Sequence, residues 1–354
     1  MPSSALSAIG LTIAAIMSGT NVVTDVARKK ALHDRSLIPT TMWCRIVAEI
    51  VFVLALASRY LMGTPPVIRD GGALFGIASI HLSPIPTFII YLVIDVLLVS
   101  IVNVMYFRAL QISPMSLCIP FLAFTPIFLI PTGYIVLGQL PAPIKLLGVV
   151  LIVVGSLAMH RKLFAVSWLA PVKAIVQEKG SRLMLTVALV FSITNPIEGK
   201  LVLMSDAYTE AFAYGLGLVI FFVILSKAKR EDAGAAIRNN VTWIAAAGLL
   251  DGIALIMQLA SYNYIPVVIS VSIKRAGILL AVFSGWIFFR ERGITDKVIA
   301  ASVMLVGVLI LYLPLAPNQA FILTGATLVA MAVALYATRN QTTAQTASAN
   351  KSAR

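Results

Sequence analysis

At 354 residues, 60% of them hydrophobic and only 12% charged, with a mean hydropathy of +0.97, the chain is too apolar for a soluble domain and reads as an all-α polytopic membrane protein. Its net charge of +13 would suit nucleic acid, yet most basic residues sit in short stretches beside apolar runs, where they set orientation, so no nucleic-acid partner is expected. Cys44 and Cys118 fall inside apolar runs and read as small core residues, not as disulfide or zinc ligands.

In chain order, runs of spanning length are expected at about 5–27, 38–62, 86–108, 114–137, 142–160, 183–204, 210–226, 242–263, 265–289 and 294–314. The opening MPSSALSAIG lacks a basic n-region, so the first run is expected to be a retained span. Gly71 to Leu82 is too short to cross and is expected at the interface or in a loop. An eleventh run, Gln319 to Ala337, precedes a polar tail over 338–354 that is expected to be disordered. The expected domains are a first five-span unit over 1–160, a cytoplasmic linker over 161–182, a second five-span unit over 183–314 and the extra span over 315–337.

Orientation follows the basic residues. They concentrate after spans 1, 3, 5, 7 and 9, as in Arg28-Lys29-Lys30, Arg161-Lys162 and Lys227 with Lys229 and Arg230. The opposite side holds Arg59, Arg69, Lys145 and Lys200. By the positive-inside rule the first group is cytoplasmic and the N-terminus is outside.

The chain repeats itself. A shift of 174 residues lays Leu11-Thr12, Ala14, Ser18, Thr20 and Asn21 on Leu185-Thr186, Ala188, Ser192, Thr194 and Asn195. A shift of 152 lays Pro114 on Pro266, Gly133 on Gly285, Lys145 on Lys297 and Gly155 on Gly307. Five spans per half is an odd number, so the halves are expected to be inverted across the membrane, an arrangement of many secondary transporters.

The two halves end in YIVLGQLPAPIKLLGVVLIVVG (134–155) and WIFFRERGITDKVIAASVMLVG (286–307). The second resembles the F-x-E-R turn and Gly-bearing last helix of the EamA-like branch of the drug/metabolite transporter (DMT) superfamily. In the first, Gly138-Gln139 stands where that family has Gly-Glu. The resemblance covers roughly residues 5 to 314. It implies a ten-helix DMT-type bundle of two inverted five-helix repeats, alternating access about a central cavity, and no enzymatic activity. The eleventh span and the external N-terminus depart from the family's pattern. SIKRAGILLAVFSGWIFF is also similar to the ninth helix of triose-phosphate translocators, in which an adjacent Lys-Arg pair holds the substrate phosphate. That likeness extends to Lys274 and Arg275 alone.

Lys274-Arg275 lies near the middle of the ninth span, where uncompensated charge is unfavourable by several kcal/mol. About 100° apart on a helix, both can border one cavity, with Arg as a planar fork and Lys as a point charge for an anion. The structural alternative is neutralisation by Asp95 and Asp251, mid-span in helices 3 and 8. Those acids could instead carry protons during transport. Asn21 and Asn195, with neighbouring Ser and Thr, are expected to line the cavity or to bond between helices. Asn195-Pro196 is expected to break helix 6, and Lys200 with Glu198 to lead substrate toward the pair. Arg45 and Glu49, spaced i, i+4, are expected to neutralise each other. Tyr262, Tyr264 and Trp243 read as interface anchors, and Pro120, Pro126 and Pro131 as bends in helix 4.

His33, His81 and His160 show no metal-ligand spacing, and there is no Walker A motif and no catalytic constellation. No metal, cofactor or enzymatic activity is therefore expected. The expected function is secondary transport of a small anionic or zwitterionic metabolite across a plasma membrane, such as a bacterial inner membrane, by proton coupling or exchange. The expected site residues are Lys274, Arg275, Lys200, Asn21 and Asn195 for substrate, with Asp95 and Asp251 for protons or charge balance. The expected partners are that solute, membrane lipid and, as an open alternative, a second copy of the chain. Export of neutral or cationic compounds, or flipping of a phosphate-bearing lipid, are the competing readings.

Overall fold

Hydrocarbon offers backbone groups no hydrogen bonds, so a lipid-facing segment must satisfy its own, and a helix does so within one segment. A computed structural model describes residues 4–32, 36–69, 74, 82–158, 178–238, 240–277, 295–313 and 315–333, and every regular element among them is helical. The long helices are α1 (Ser4–Leu32), α2 (Leu37–Leu61), α3 (Pro84–Ile112), α4 (Thr125–Leu137), α5 (Pro143–Ala158), α6 (Lys179–Met204), α7 (Ala207–Ala228), α8 (Val241–Ser261), α9 (Val267–Ala276), α10 (Thr295–Tyr312) and α11 (Pro317–Val333). Among the described residues six of these, α1, α2, α3, α6, α7 and α8, are long and apolar enough to cross a membrane. Shorter apolar stretches lie in α4, α5, α10 and α11. This is a multi-pass membrane protein.

The fourth span is not one helix. A helical turn over Met115–Cys118 and a 3-10 segment over Ile119–Phe124 precede α4. Pro120 and Pro126 bring no backbone donor to the start of these segments, and the chain tightens there. Pro131 is carried inside α4. Gly138 then closes α4 in the left-handed region, φ +65°, donating its N–H to the Tyr134 carbonyl at 2.9 Å.

Pro196 behaves differently from the expected break, since α6 runs unbroken from Lys179 to Met204. A proline leaves the carbonyl four residues earlier, here Ser192, without its helical donor. The Thr132 hydroxyl of α4 donates to that carbonyl, so a neighbouring helix completes the ladder. The ends of α6 and α7 are capped by acids. Glu178 accepts from the backbone N–H groups of Gly180 and Ser181, and Asp206 from those of Tyr208 and Thr209. Lys145 closes the far end of α10, donating to the carbonyls of Ile310, Leu311 and Leu313 at 3.0, 2.9 and 2.8 Å.

The extensive contacts are α1 on α8, α3 on α6, α2 on both α7 and α8, α4 on α6, α9 on α1 and α5 on α10. The last pair meets backbone to backbone. A Cβ on Gly148 would lie 2.6 Å from the Gly307 carbonyl oxygen, and one on Gly307 would lie 2.7 Å from that of Gly148. Large apolar side chains such as Leu54, Ile101 and Ile224 point outward, while Asp95, Arg45 and Arg275 are buried. That polarity is inside out relative to a protein in water.

One boundary expectation is corrected. The first span was expected to end near residue 27, with Arg28 in a cytoplasmic loop. Instead α1 continues to Leu32, and Arg28 is buried at 8% exposure because acidic partners receive it. Residues 161–177 of the expected 161–182 linker, the 71–81 segment apart from Leu74, the ninth span beyond Gly277, the F-x-E-R turn and the tail beyond 333 lie outside the described residues.

Candidate functional site

A cavity of about 100 Å³ opens between α1, α2, α3, α6, α7, α8, α9 and the 3-10 segment. Its polarity comes from stripes that the helical period sorts onto one face. On α1 the stripe is Ser18, Asn21, Asp25 and Arg28, spaced three to four residues apart. On α8 it is Asp251, Leu255 and Gln258, continued by Tyr262 just past the helix end.

Part of the cavity wall is a chain of buried ions. Arg28 bonds Asp25 at 3.1 Å and also Asp251, while Arg45 bonds the other oxygen of Asp251 at 2.5 Å and reaches the amide oxygen of Asn103. Asn103 in turn donates to the Val99 carbonyl at 2.8 Å, which fixes the direction of its amide. The Arg28 guanidinium also lies over Tyr106 and Phe107, at 5.6 and 5.3 Å from the ring centres. Two arginines and two aspartates thus neutralise one another across α1, α2 and α8. Charges so placed need each other, because a buried ion stripped of its partner has neither water nor counter-charge.

Lys274 and Arg275 enter the same cavity from α9. Lys274 donates to the Gln258 side-chain oxygen. The Gln258 amide nitrogen lies 2.7 Å from the Tyr262 hydroxyl, 2.9 Å from Glu198 and 3.1 Å from Asn195. The Tyr262 hydroxyl donates toward Asn195 or Glu198, at 3.2 and 3.4 Å. Ser18 donates to the Lys274 carbonyl at 3.2 Å and so ties α1 to α9. Arg275 stacks on Phe191 at 5.5 Å, and its Nε has no acceptor among the described residues.

Of the expected site residues, Lys274, Arg275, Asn21, Asn195 and Asp251 line this cavity, whereas Lys200 and Asp95 do not. Asn21 and Asn195 each donate back to their own helix, to the Met17 and Phe191 carbonyls, leaving their amide oxygens for other partners. The alternative of neutralisation takes a divided form. Asp251 bonds Arg28 and Arg45 while its charge still acts on Lys274, and the acid joined to Lys274 by hydrogen bonds is Glu198, through Gln258. Asp251 and Gln258 share a face of α8 seven residues apart, which is about 10 Å of helix. Asp95 is fully buried with neither oxygen hydrogen-bonded among the described residues. Glu49 does not pair with Arg45 either. Its oxygens find no partner there, because Asp251 and Asn103 hold the guanidinium. Tyr262, expected as an interface anchor, is buried at 5% exposure within the Gln258 network.

Reading by residue type alone overlooked Asp25, Asn103, Tyr106, Phe191 and Gln258. For Asp25 and Arg28 the signal was present, since continuing the Ser18–Asn21 stripe at the helical period lands on both. Gln258 could have been found the same way, seven residues along the face of Asp251, whereas for Phe191 no local signal distinguishes it from other residues of an apolar helix.

No family model and no curated protein matches the chain. A solved structure described as "Crystal structure of protein" superimposes with a TM-score of 0.60 over 87% of this chain and 96% of that one, at 12% identity. At that identity the likeness is one of fold.

Proposed function

We propose that the protein is a secondary transporter of the drug/metabolite transporter type that carries a small anionic or zwitterionic solute across a plasma membrane by alternating access. The observation that carries this reading is the cavity itself: a charge-lined space enclosed by helices from both halves of an otherwise apolar bundle, with Lys274 and Arg275 in its wall. Charged residues in a membrane interior face a pathway or a partner, and Arg275 forms no salt bridge among the described residues, with its Nε left without an acceptor there.

The packing supports an inverted repeat. Exchanging helices one to five with six to ten turns the α1–α8 contact into α6–α3, turns α1–α9 into α6–α4, and returns α2–α7 and α5–α10 to themselves. All of these contacts are present, as a pseudo-two-fold arrangement requires. In such an arrangement the α1–α8 and α3–α6 pairs can rock about the cavity. Asp95, buried without a donor or cation partner, suits a proton carrier better than Asp251, which is bonded to two arginines.

The test is uptake into proteoliposomes of purified protein, driven in turn by a proton gradient and by internal substrate. Saturable flux of an anionic or zwitterionic solute, lost in the Lys274→Gln/Arg275→Gln double variant with its fold intact, is the expected result. Unchanged flux in that variant would sink the anion reading.

A further inference from the structure

Four cations face the cavity, Arg28, Arg45, Lys274 and Arg275, against three carboxylates, Asp25, Asp251 and Glu198. At ordinary neutral-pH charges the described lining is left with one positive charge in excess. That excess can be located. Arg28 and Arg45 are closed off by Asp25 and Asp251. Lys274 is linked to Glu198 through Gln258, and a proton moving from one to the other leaves their sum unchanged.

Arg275 is what remains. It is 6% exposed, it has no ion-pair partner among the described residues, and its Nε has no acceptor there. Its guanidinium carbon lies 5.5 Å from the centre of the Phe191 ring, and its fork of donors matches a planar acceptor. An engineered cavity of about 150 Å³ accommodates the six non-hydrogen atoms of benzene, so one of about 100 Å³ limits a cargo to no more than about that many. The rest of the wall includes apolar side chains, among them Val22, Ile119, Leu122 and Leu255.

We infer that the cavity is built for a small monoanion, a short-chain monocarboxylate whose carboxylate engages Arg275 while its hydrocarbon end lies against the apolar wall. The inference rests on the transport reading and narrows it. A monoanion brings the lining to neutrality. A dianion overshoots by one charge. A zwitterion can engage Arg275, but its ammonium restores the excess.

The experiment is thermal unfolding of the full-length protein in detergent, at matched ionic strength, with propionate or lactate, succinate as dianion, alanine as zwitterion, propionamide as neutral isostere and nitrate as an inorganic monoanion. Propionate and lactate are expected to raise the midpoint in a saturable way and the other four to do so far less. Arg275→Gln is expected to raise the half-saturating propionate concentration by about tenfold or more, and Arg275→Lys, which keeps the charge and loses the fork, by less. Equal stabilisation by succinate, alanine or nitrate would overturn the inference, as would no stabilisation by any monocarboxylate. The ligand series on the unaltered protein decides the matter even where Arg275→Gln does not fold. Flux of labelled lactate into proteoliposomes separates this inference from the reading beneath it. Lactate that stabilises but is not carried sinks the transporter and leaves the ligand class standing. A different solute that is carried while no monocarboxylate stabilises does the reverse.

Discussion

Arg28 and Arg275 line the same cavity, yet their surroundings give them different work. Arg28 is bonded to two aspartates and backed by two rings, whereas Arg275 has one ring and no salt bridge among the described residues. The first belongs to the scaffold, and the second is the one we propose for a ligand. The same contrast separates the acids. Asp251 holds two guanidinium groups from two other helices, so Asp251→Asn is expected to lower stability by about 3–5 kcal/mol, read as a drop in the unfolding midpoint of the purified protein. Asp95 has no such partner, so Asp95→Asn is expected to leave the midpoint near that of the parent while abolishing the response of uptake to a proton gradient. A large stability loss in Asp95→Asn with proton-driven uptake intact would reverse these assignments. Lys274 and Arg275 stood out in the sequence because two cations interrupt an apolar run. Which acid answers which cation did not, because i, i+4 spacing reports local possibility. Arg45 passes over Glu49 on its own helix for Asp251 on another.

Among the elements, α6 carries the clearest local test. Its proline is tolerated because Thr132 supplies a donor to the Ser192 carbonyl. Thr132→Val keeps the shape of the side chain and removes that donor, and it is expected to lower stability by about 1–3 kcal/mol, measured by chemical or thermal unfolding in detergent. The start of α6 responds to acid. Burial raises the affinity of Glu178 for a proton, but donors from Ser113, Ser181 and Gly180 outweigh it and hold the carboxyl below its ordinary range. A carboxyl lowered on folding contributes stability above its unfolded pKa and loses it as pH falls through the folded value. Acidification below the ordinary glutamate range should therefore loosen this cap first. Glu178→Ala should remove about 1 kcal/mol at neutral pH and flatten the acid side of the stability profile. The prolines of the fourth span were legible as bends, and Pro196 as a break. The latter reading failed because the donor that rescues it lies sixty residues away, beyond any local rule.

For the whole molecule, the uneven distribution of Lys and Arg makes a statement about sidedness. With the stretch around Lys227–Arg230 in the cytoplasm, Arg230→Cys should react with an impermeant thiol reagent only after the membrane is opened, and Arg59→Cys in intact cells. The native Cys44 and Cys118 are buried and give little background. The opposite labelling pattern would place the N-terminus inside. Composition and periodicity alone determined that the chain is helical and membrane-embedded, roughly where its helices run, and that a charged pair interrupts an apolar run. These follow from the length of apolar runs and the absence of water in a bilayer, both local in sequence. Only the tertiary structure decided that Arg28 and Arg45 share Asp251, that Gln258 links Lys274 to Glu198, and that Arg275 is left with an open donor edge. Partners in a low-dielectric interior are chosen by which helix faces meet, and residues as far apart as 28 and 251 meet only once the helices have packed.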